Sequence, residues 1–206
     1  MWDMEGLAQV TAGFPPPVAA EVLPVLPALE PLLPAGGLPK GSVAAVDRHG
    51  ALLLALIAEA SRGGAWCGAA GIPEFGVAAA AGMGVNVDRL LLVPEPGPRW
   101  LEVTAALLDG MDIVIVRPPA RVGAGERRRV EAAVKRTGAV LVVAGNWDGA
   151  PVRLSAGRQE WEGIGDGYGR LQRCRTEVTA TGRGSLARPR SAELWLPGSD
   201  GHGNRG

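Results

Sequence analysis

Ser42-Val-Ala-Ala-Val-Asp-Arg-His-Gly-Ala-Leu-Leu-Leu-Ala-Leu-Ile-Ala-Glu-Ala60 is the stretch on which the fold turns. Its first five residues read as a short buried strand. Asp47, Arg48, His49 and Gly50 form a polar corner, and Ala51 to Ala60 make a helix of strong helix formers that is apolar almost all round. A helix with no polar face must be buried against a sheet. Gly63 and Gly64 then stop it.

Outward from this unit the alternation repeats. Ala65 to Ala70 is the next strand, and Val77 to Ala81 a short helix ended by Gly82 and Gly84. Leu90 to Val93 is a strand closed by Pro94. Arg99 to Leu108 is a helix with Leu101, Ala105 and Leu108 at helical spacing, and Asp112 to Val116 a fully apolar strand. Gly125 to Arg136 is a charged amphipathic helix with Val130, Ala133 and Val134 facing inward, and Ala139 to Ala144 completes the series. Short, continuously apolar strands alternating with helices predict an α/β fold whose mostly parallel sheet is covered on both faces. Beyond Gly145 the character changes. Val152 to Ser155, Leu171 to Thr181 and Ser191 to Leu196 alternate like half-exposed strands, separated by Gly-rich loops at 163–169 and 182–184. They predict an antiparallel C-terminal extension of the same sheet.

Upstream, residues 1–21 read as a flexible arm. From Val22 to Pro34, leucines recur with prolines that block a long helix. This segment packs in short turns on its own core, or else offers Leu26, Leu29, Leu32 and Leu33 as a docking arm for a partner or a second copy. The organisation is one domain over 22–197, with a packing segment (22–41), a parallel core (42–145) and the antiparallel extension (146–197), followed by a disordered tail over 198–206.

The 206 residues, 47% of them hydrophobic with a mean hydropathy of +0.12, suffice for one such core. Lys+Arg and Asp+Glu both number 21, which argues against capture of nucleic acid by net charge alone. Cys67, Cys174, His49 and His202 lack metal-ligand spacing, so no metal is expected. No secretory pattern or membrane-length apolar run is present in the sequence, and the expected location is cytoplasmic. In the extension, Arg173 and Arg175 fall on one face of their strand. With Arg170 and Arg183 they are candidate contacts for DNA or an acidic partner, and Trp161 is a candidate stacking residue. On the charged helix, pairing of Glu131 with Lys135 along a solvated face is expected.

The turn Gly36-Gly-Leu-Pro-Lys-Gly41, followed by strand, corner and apolar helix, resembles the RecA-like superfamily. Gly84 to Val93, Leu108 to Val116 and the stretch from Trp161 to Pro197 look like its shortened relatives, ImuA (ImuA-prime) and the SulA-like proteins. The departures decide what the resemblance implies. A working phosphate loop needs a glycine-rich turn, a lysine on the phosphates and a Ser/Thr on Mg²⁺. Asp47-Arg48-His49-Gly50 is shorter, has no Gly-Lys-Ser/Thr, and is followed by Leu52 and Leu53. Where the family's metal-holding acid ends a strand, this chain has Arg117. Phosphoryl transfer rests on the missing charges. The resemblance therefore implies a protein without cofactor or catalysis: an adaptor of damage-induced translesion mutagenesis. Its partners would be a Y-family-like polymerase relative (ImuB) and an error-prone polymerase, with DNA a further candidate contact. A SulA-like inhibitor of cell division and an ATP-binding RecA-like protein stand as alternatives.

Overall fold

The computed structural model describes residues 21–47, 50–165, 168–196 and 204–205; within 163–172 and at 204–205 it describes the backbone alone. The N-terminal segment forms a small ribbon, β1 (Val22–Pro24) with β2 (Gly37–Pro39), around two turns of 3₁₀ helix. The core alternates β3 (Val43–Val46), α1 (Ala51–Arg62), β4 (Cys67–Ala70), α2 (Val77–Gly82), β5 (Leu90–Val93), α3 (Trp100–Gly110), β6 (Ile113–Val116), α4 (Ala124–Thr137) and β7 (Val140–Ala144). Then come β8 (Val152–Gly165), β9 (Tyr168–Gly182), β10 (Arg190–Trp195) and β11 (Asn204–Arg205).

Nine strands make one sheet in the order β11-β10-β9-β8-β3-β7-β6-β4-β5. The pairs from β8–β3 to β4–β5 are parallel, and those from β8–β9 outward antiparallel. This is a three-layer RecA-like α/β fold. Every residue of β3, β4, β6 and β7 is buried, as expected of strands covered on both sides. Alternation divides them between two cores. Ala44, Val46, Ile113, Ile115, Val140 and Val142 face α1 and α2, whereas Val43, Val114, Val116, Leu141 and Val143 face α3 and α4.

The leucine/proline segment belongs to the first core. Leu26, Leu29, Leu32 and Leu33 are at most 2% exposed, so the docking-arm expectation for them is corrected: the chain covers them itself. The segment packs on α1 and β10, and Arg190 Nη1 donates to the Pro31 carbonyl at 3.1 Å. It does for β8–β10 what a helix does for the parallel strands, sealing Val152, Leu154, Val178, Ala180 and Leu194.

Three further differences have local causes. The expected loop over 163–169 is largely the distal end of one long hairpin, because β8 and β9 remain paired out to Gly165 and Tyr168. Asn204 and Arg205, placed in the tail by the sequence, pair with Trp195 and Leu194. On α3 the buried face is Trp100, Thr104, Leu107 and Leu108, with Leu101 and Ala105 only partly covered. Thr104 is tolerated there because its hydroxyl donates to the Trp100 carbonyl at 2.7 Å.

Burying each leucine of the N-terminal segment contributes about 1.5–3 kcal/mol. Leu29→Ala or Leu33→Ala is expected to lower unfolding free energy by about 2–5 kcal/mol in urea titrations. Trp161→Ala, at a side chain 49% exposed, is expected to change it by about 0.5 kcal/mol or less.

Candidate functional site

In open α/β sheets ligands bind beyond the carboxyl ends of the strands. Here that edge is built from Asp47 after β3, Glu74 after β4, Arg117 after β6, Asn146 and Trp147 after β7, and Arg153 on β8. Arg153 is the hub. Its Nη1 donates to Asp47 Oδ1 at 2.9 Å, and its Nη2 donates to Asn146 Oδ1 at 2.9 Å and to the Trp147 carbonyl at 3.2 Å. Arg117 is likewise engaged, with Nη2 donating to Glu74 Oε1 at 2.5 Å. Its backbone lies hard against Gly71 (φ +77°), where a Cβ would stand 2.4 Å from the Arg117 carbonyl oxygen, so only glycine fits.

Arg153 and Arg117 are thus committed to carboxylates of the chain, while exposed Arg121 lines a cavity of about 380 Å³ together with Asn146 and Trp147. Between β3 and α1 only residues 47–50 intervene, and Leu52 and Leu53 are buried in the first core. The cavity beside them measures about 120 Å³ and is walled by Leu53, Leu54, Ile72 and Phe75, whereas small-molecule sites commonly run to about 300–1,000 Å³. Arg48 and His49 lie outside the described residues.

Sequence reasoning found Asp47 and Arg117 but not the clamp. Arg153 lies 106 residues from Asp47, and nothing local to either announces the other. The available signal was phase: Val152 and Leu154 point into the core, so Arg153 must point out of it.

The candidate contacts of the extension do not form one surface. Glu160 stands opposite Arg175, Trp161 opposite Cys174, and Glu162 opposite Arg173. Directly opposed residues share a face, so Trp161 lies on the face away from both arginines. Arg183 lies beyond the far end of β9, ten residues from Arg173, or roughly 33 Å along a strand. The Arg170 side chain is outside the described residues.

Arg173 and Arg175 do share a face, but on it both are paired with carboxylates. Arg173 pairs with Glu162 at 2.6 Å, and Arg175 reaches Glu193 at 3.5 Å. Both guanidinium groups lie over the Trp195 ring, 4.4 and 5.5 Å from its centroid. Arg175 Nε is buried without a hydrogen-bond partner among the described residues, so stacking supplies what hydrogen bonding does not.

On α4 the expected Glu131–Lys135 pairing gives way to longer-range contacts. Glu131 Oε1 accepts from the Trp147 indole at 3.0 Å, Arg127 pairs with Asp148, and Arg136 pairs with Asp109. Trp147 is 2% exposed, and a buried indole N–H needs an acceptor, which fixes Glu131 toward the β7–β8 connection. Cys67 and Cys174 are both buried, and among the described residues no group of His, Cys, Asp and Glu is placed to hold a metal. Burial pushes the Cys67 thiol up to about 11, offset in part by the Ser61 side chain and reinforced by the Asp112 carboxylate. Among the described residues no helix is long and apolar enough to cross a membrane.

The family described as the MT3502 N-terminal domain matches residues 31–149, from the leucine segment through β7 and its following turn. The chain belongs to this family. The uncharacterized protein Rv3395c of Mycobacterium tuberculosis is 34% identical over 163 residues, covering 74% of this chain and 80% of that protein. The crystal structure of the RadB recombinase superposes with a TM-score of 0.60 at 13% identity, covering 84% of this chain and 94% of that one. That likeness establishes the RecA-like fold. The MT3502 N-terminal domain match ends just before β8, so Arg153, which clamps the carboxyl edge, enters from outside the matched segment.

Two outcomes test this geometry. Arg153→Ala unpairs Asp47 and Asn146 and is expected to cost about 1 kcal/mol in urea titration, in keeping with a partly exposed pair. Arg158→Ala, on a side chain 81% exposed, is expected to change stability little. Cys67 is expected to resist alkylation at pH 8 in the folded protein and to react once urea unfolds it. The raised folded value favours the thiol, so this group's contribution to stability is whole below the ordinary thiol range and is lost as pH climbs through about 11. Unfolding titrations of wild type and Cys67→Ala across alkaline pH should diverge in that sense.

Proposed function

We propose that the chain is a non-catalytic adaptor of the DNA-damage-induced translesion mutagenesis complex. It would bind a Y-family-like polymerase relative of the ImuB kind together with an error-prone polymerase, with DNA a further contact. The observation that carries this reading is the self-neutralised carboxyl edge. Triphosphate binding at this position depends on free backbone amides, a lysine and a metal-holding hydroxyl and acid. In this chain the same edge holds Asp47 paired with Arg153, Arg117 paired with Glu74, and Leu52 and Leu53 inside the core.

A nucleotide would have to break the Arg153 clamp and would leave Asp47 uncompensated beside its phosphates. That arrangement supports work by contact rather than by phosphoryl transfer. The particular partners rest on the resemblance of Gly36 to Gly41, Gly84 to Val93 and Trp161 to Pro197 to ImuA-type proteins, together with the RecA-like fold.

Co-expression with the polymerase relative is expected to yield a complex that survives size-exclusion chromatography, while the cell-division GTPase elutes apart. Calorimetric titration with ATP and Mg²⁺ is expected to give no saturable heat. Tight magnesium-dependent uptake that is lost on altering the residue 47–50 loop would overturn the reading.

A further inference from the structure

A groove runs along α4 beside the β7–β8 connection. It has a volume of about 610 Å³ and a floor of Val43, Val134 and Pro151. Its charged lining is uneven. Glu131 keeps its charge but is turned toward the Trp147 indole, and Asp148 is paired with Arg127. Arg128 and Lys135 on one wall and Arg183 on the other are exposed and have no carboxylate partner among the described residues. The groove thus sets four cations, Arg127, Arg128, Lys135 and Arg183, against two carboxylates, Glu131 and Asp148, a local positive excess in a chain with equal numbers of acids and bases.

We propose that this groove is the docking site for an extended, acidic peptide segment with apolar residues between its carboxylates, supplied by a partner protein. The choice of a protein occupant rests on the adaptor reading. The shape argues for an extended chain over a compact ligand. From Ala124 to Lys135 the groove follows roughly 16 Å of helix, and Arg128 and Lys135 are separated along the axis by about 10 Å. An extended peptide advances about 3.3 Å per residue and turns successive side chains to opposite sides, so acids two or four positions apart face these two cations together, within reach of their long side chains. Apolar side chains between them then lie against Ala124 and Pro151, the exposed apolar residues of the groove, and Arg183 closes on a carboxylate from the opposite wall. Cations held over an apolar floor are where charge complementarity steers encounter and apolar burial supplies affinity.

The test uses the full chain and a fluorescein-labelled peptide, Asp-Leu-Leu-Glu-Leu-Asp, followed by fluorescence anisotropy at low ionic strength. Saturable binding is expected, weakened at least fivefold by Arg128→Glu with Lys135→Glu, unchanged by Arg158→Glu, and weakened when glycine replaces the peptide's leucines. Both reversed positions are exposed, and circular dichroism of the variants checks that the fold is kept. No saturable binding, or an equal loss in Arg158→Glu, overturns the proposal. So does ATP or a single-stranded oligonucleotide that binds through the same two residues and displaces the peptide, which reassigns the groove to phosphate. Failure of the peptide with polymerase co-purification intact removes the groove and leaves the adaptor standing. Peptide binding that persists where co-purification fails removes the adaptor's named partner and supports the groove.

Discussion

Burial of four short parallel strands on both faces is the constraint from which the rest of this molecule follows. Every residue of β3, β4, β6 and β7 is buried, so none of them can carry polar chemistry along its length. Polar and charged groups are driven to the strand ends, the outer helix faces and the antiparallel extension. At the carboxyl ends, where this architecture ordinarily receives ligands, the charges answer one another. A guanidinium bound by Asp47, Asn146 and the Trp147 carbonyl has few donors left for a phosphate.

The extension obeys the same rule with different material. Strands β8 to β10 bury one face against the leucine/proline segment and expose the other. The second core, under α3 and α4, draws no residue from them. Prolines prevent a regular helix in residues 22–34, yet leucines at 26, 29, 32 and 33 still arrive at the right surface because short turns suffice to cover three strands. The open face is therefore polar and is held by cross-strand pairs of opposite charge around Trp195, which keeps a long, uncovered hairpin from offering an apolar template to other chains.

The sequence carried the parallel core almost completely, because strands such as Ile113 to Val116 and helices such as Ala51 to Arg62 announce themselves by continuous apolar runs and glycine stops. Phase on β9 also placed Arg173 and Arg175 on a common face. What stayed hidden is what periodicity does not encode. A local reading of α4 pairs Glu131 with Lys135, whereas burial of Trp147, sixteen residues on, redirects that carboxylate. A charge count sees arginines at 173 and 175 as a patch, whereas strand register brings Glu162 and Glu193 to them. Register likewise turns Trp161 to the other face. Asp47 read alone is a repulsive carboxylate at a phosphate site. With Arg153 beside it, it is half of a closed pair.

That redistribution also explains how a chain of zero net charge acquires a directional surface. Pairing at the carboxyl edge uses Arg153 and Arg117, pairing on the open face uses Arg173 and Arg175, and pairing at the end of α4 uses Arg136. Each removes one base and one acid, so the balance cannot change, but its location can. Around α4 two acids are withdrawn, one by an indole and one by Arg127. An indole N–H neutralises nothing; it only orients Glu131 and occupies it. Burial of Trp147 thus turns Glu131 away from a pairing with Lys135. A packing requirement of the second core thereby orients one of the carboxylates that line the groove along α4.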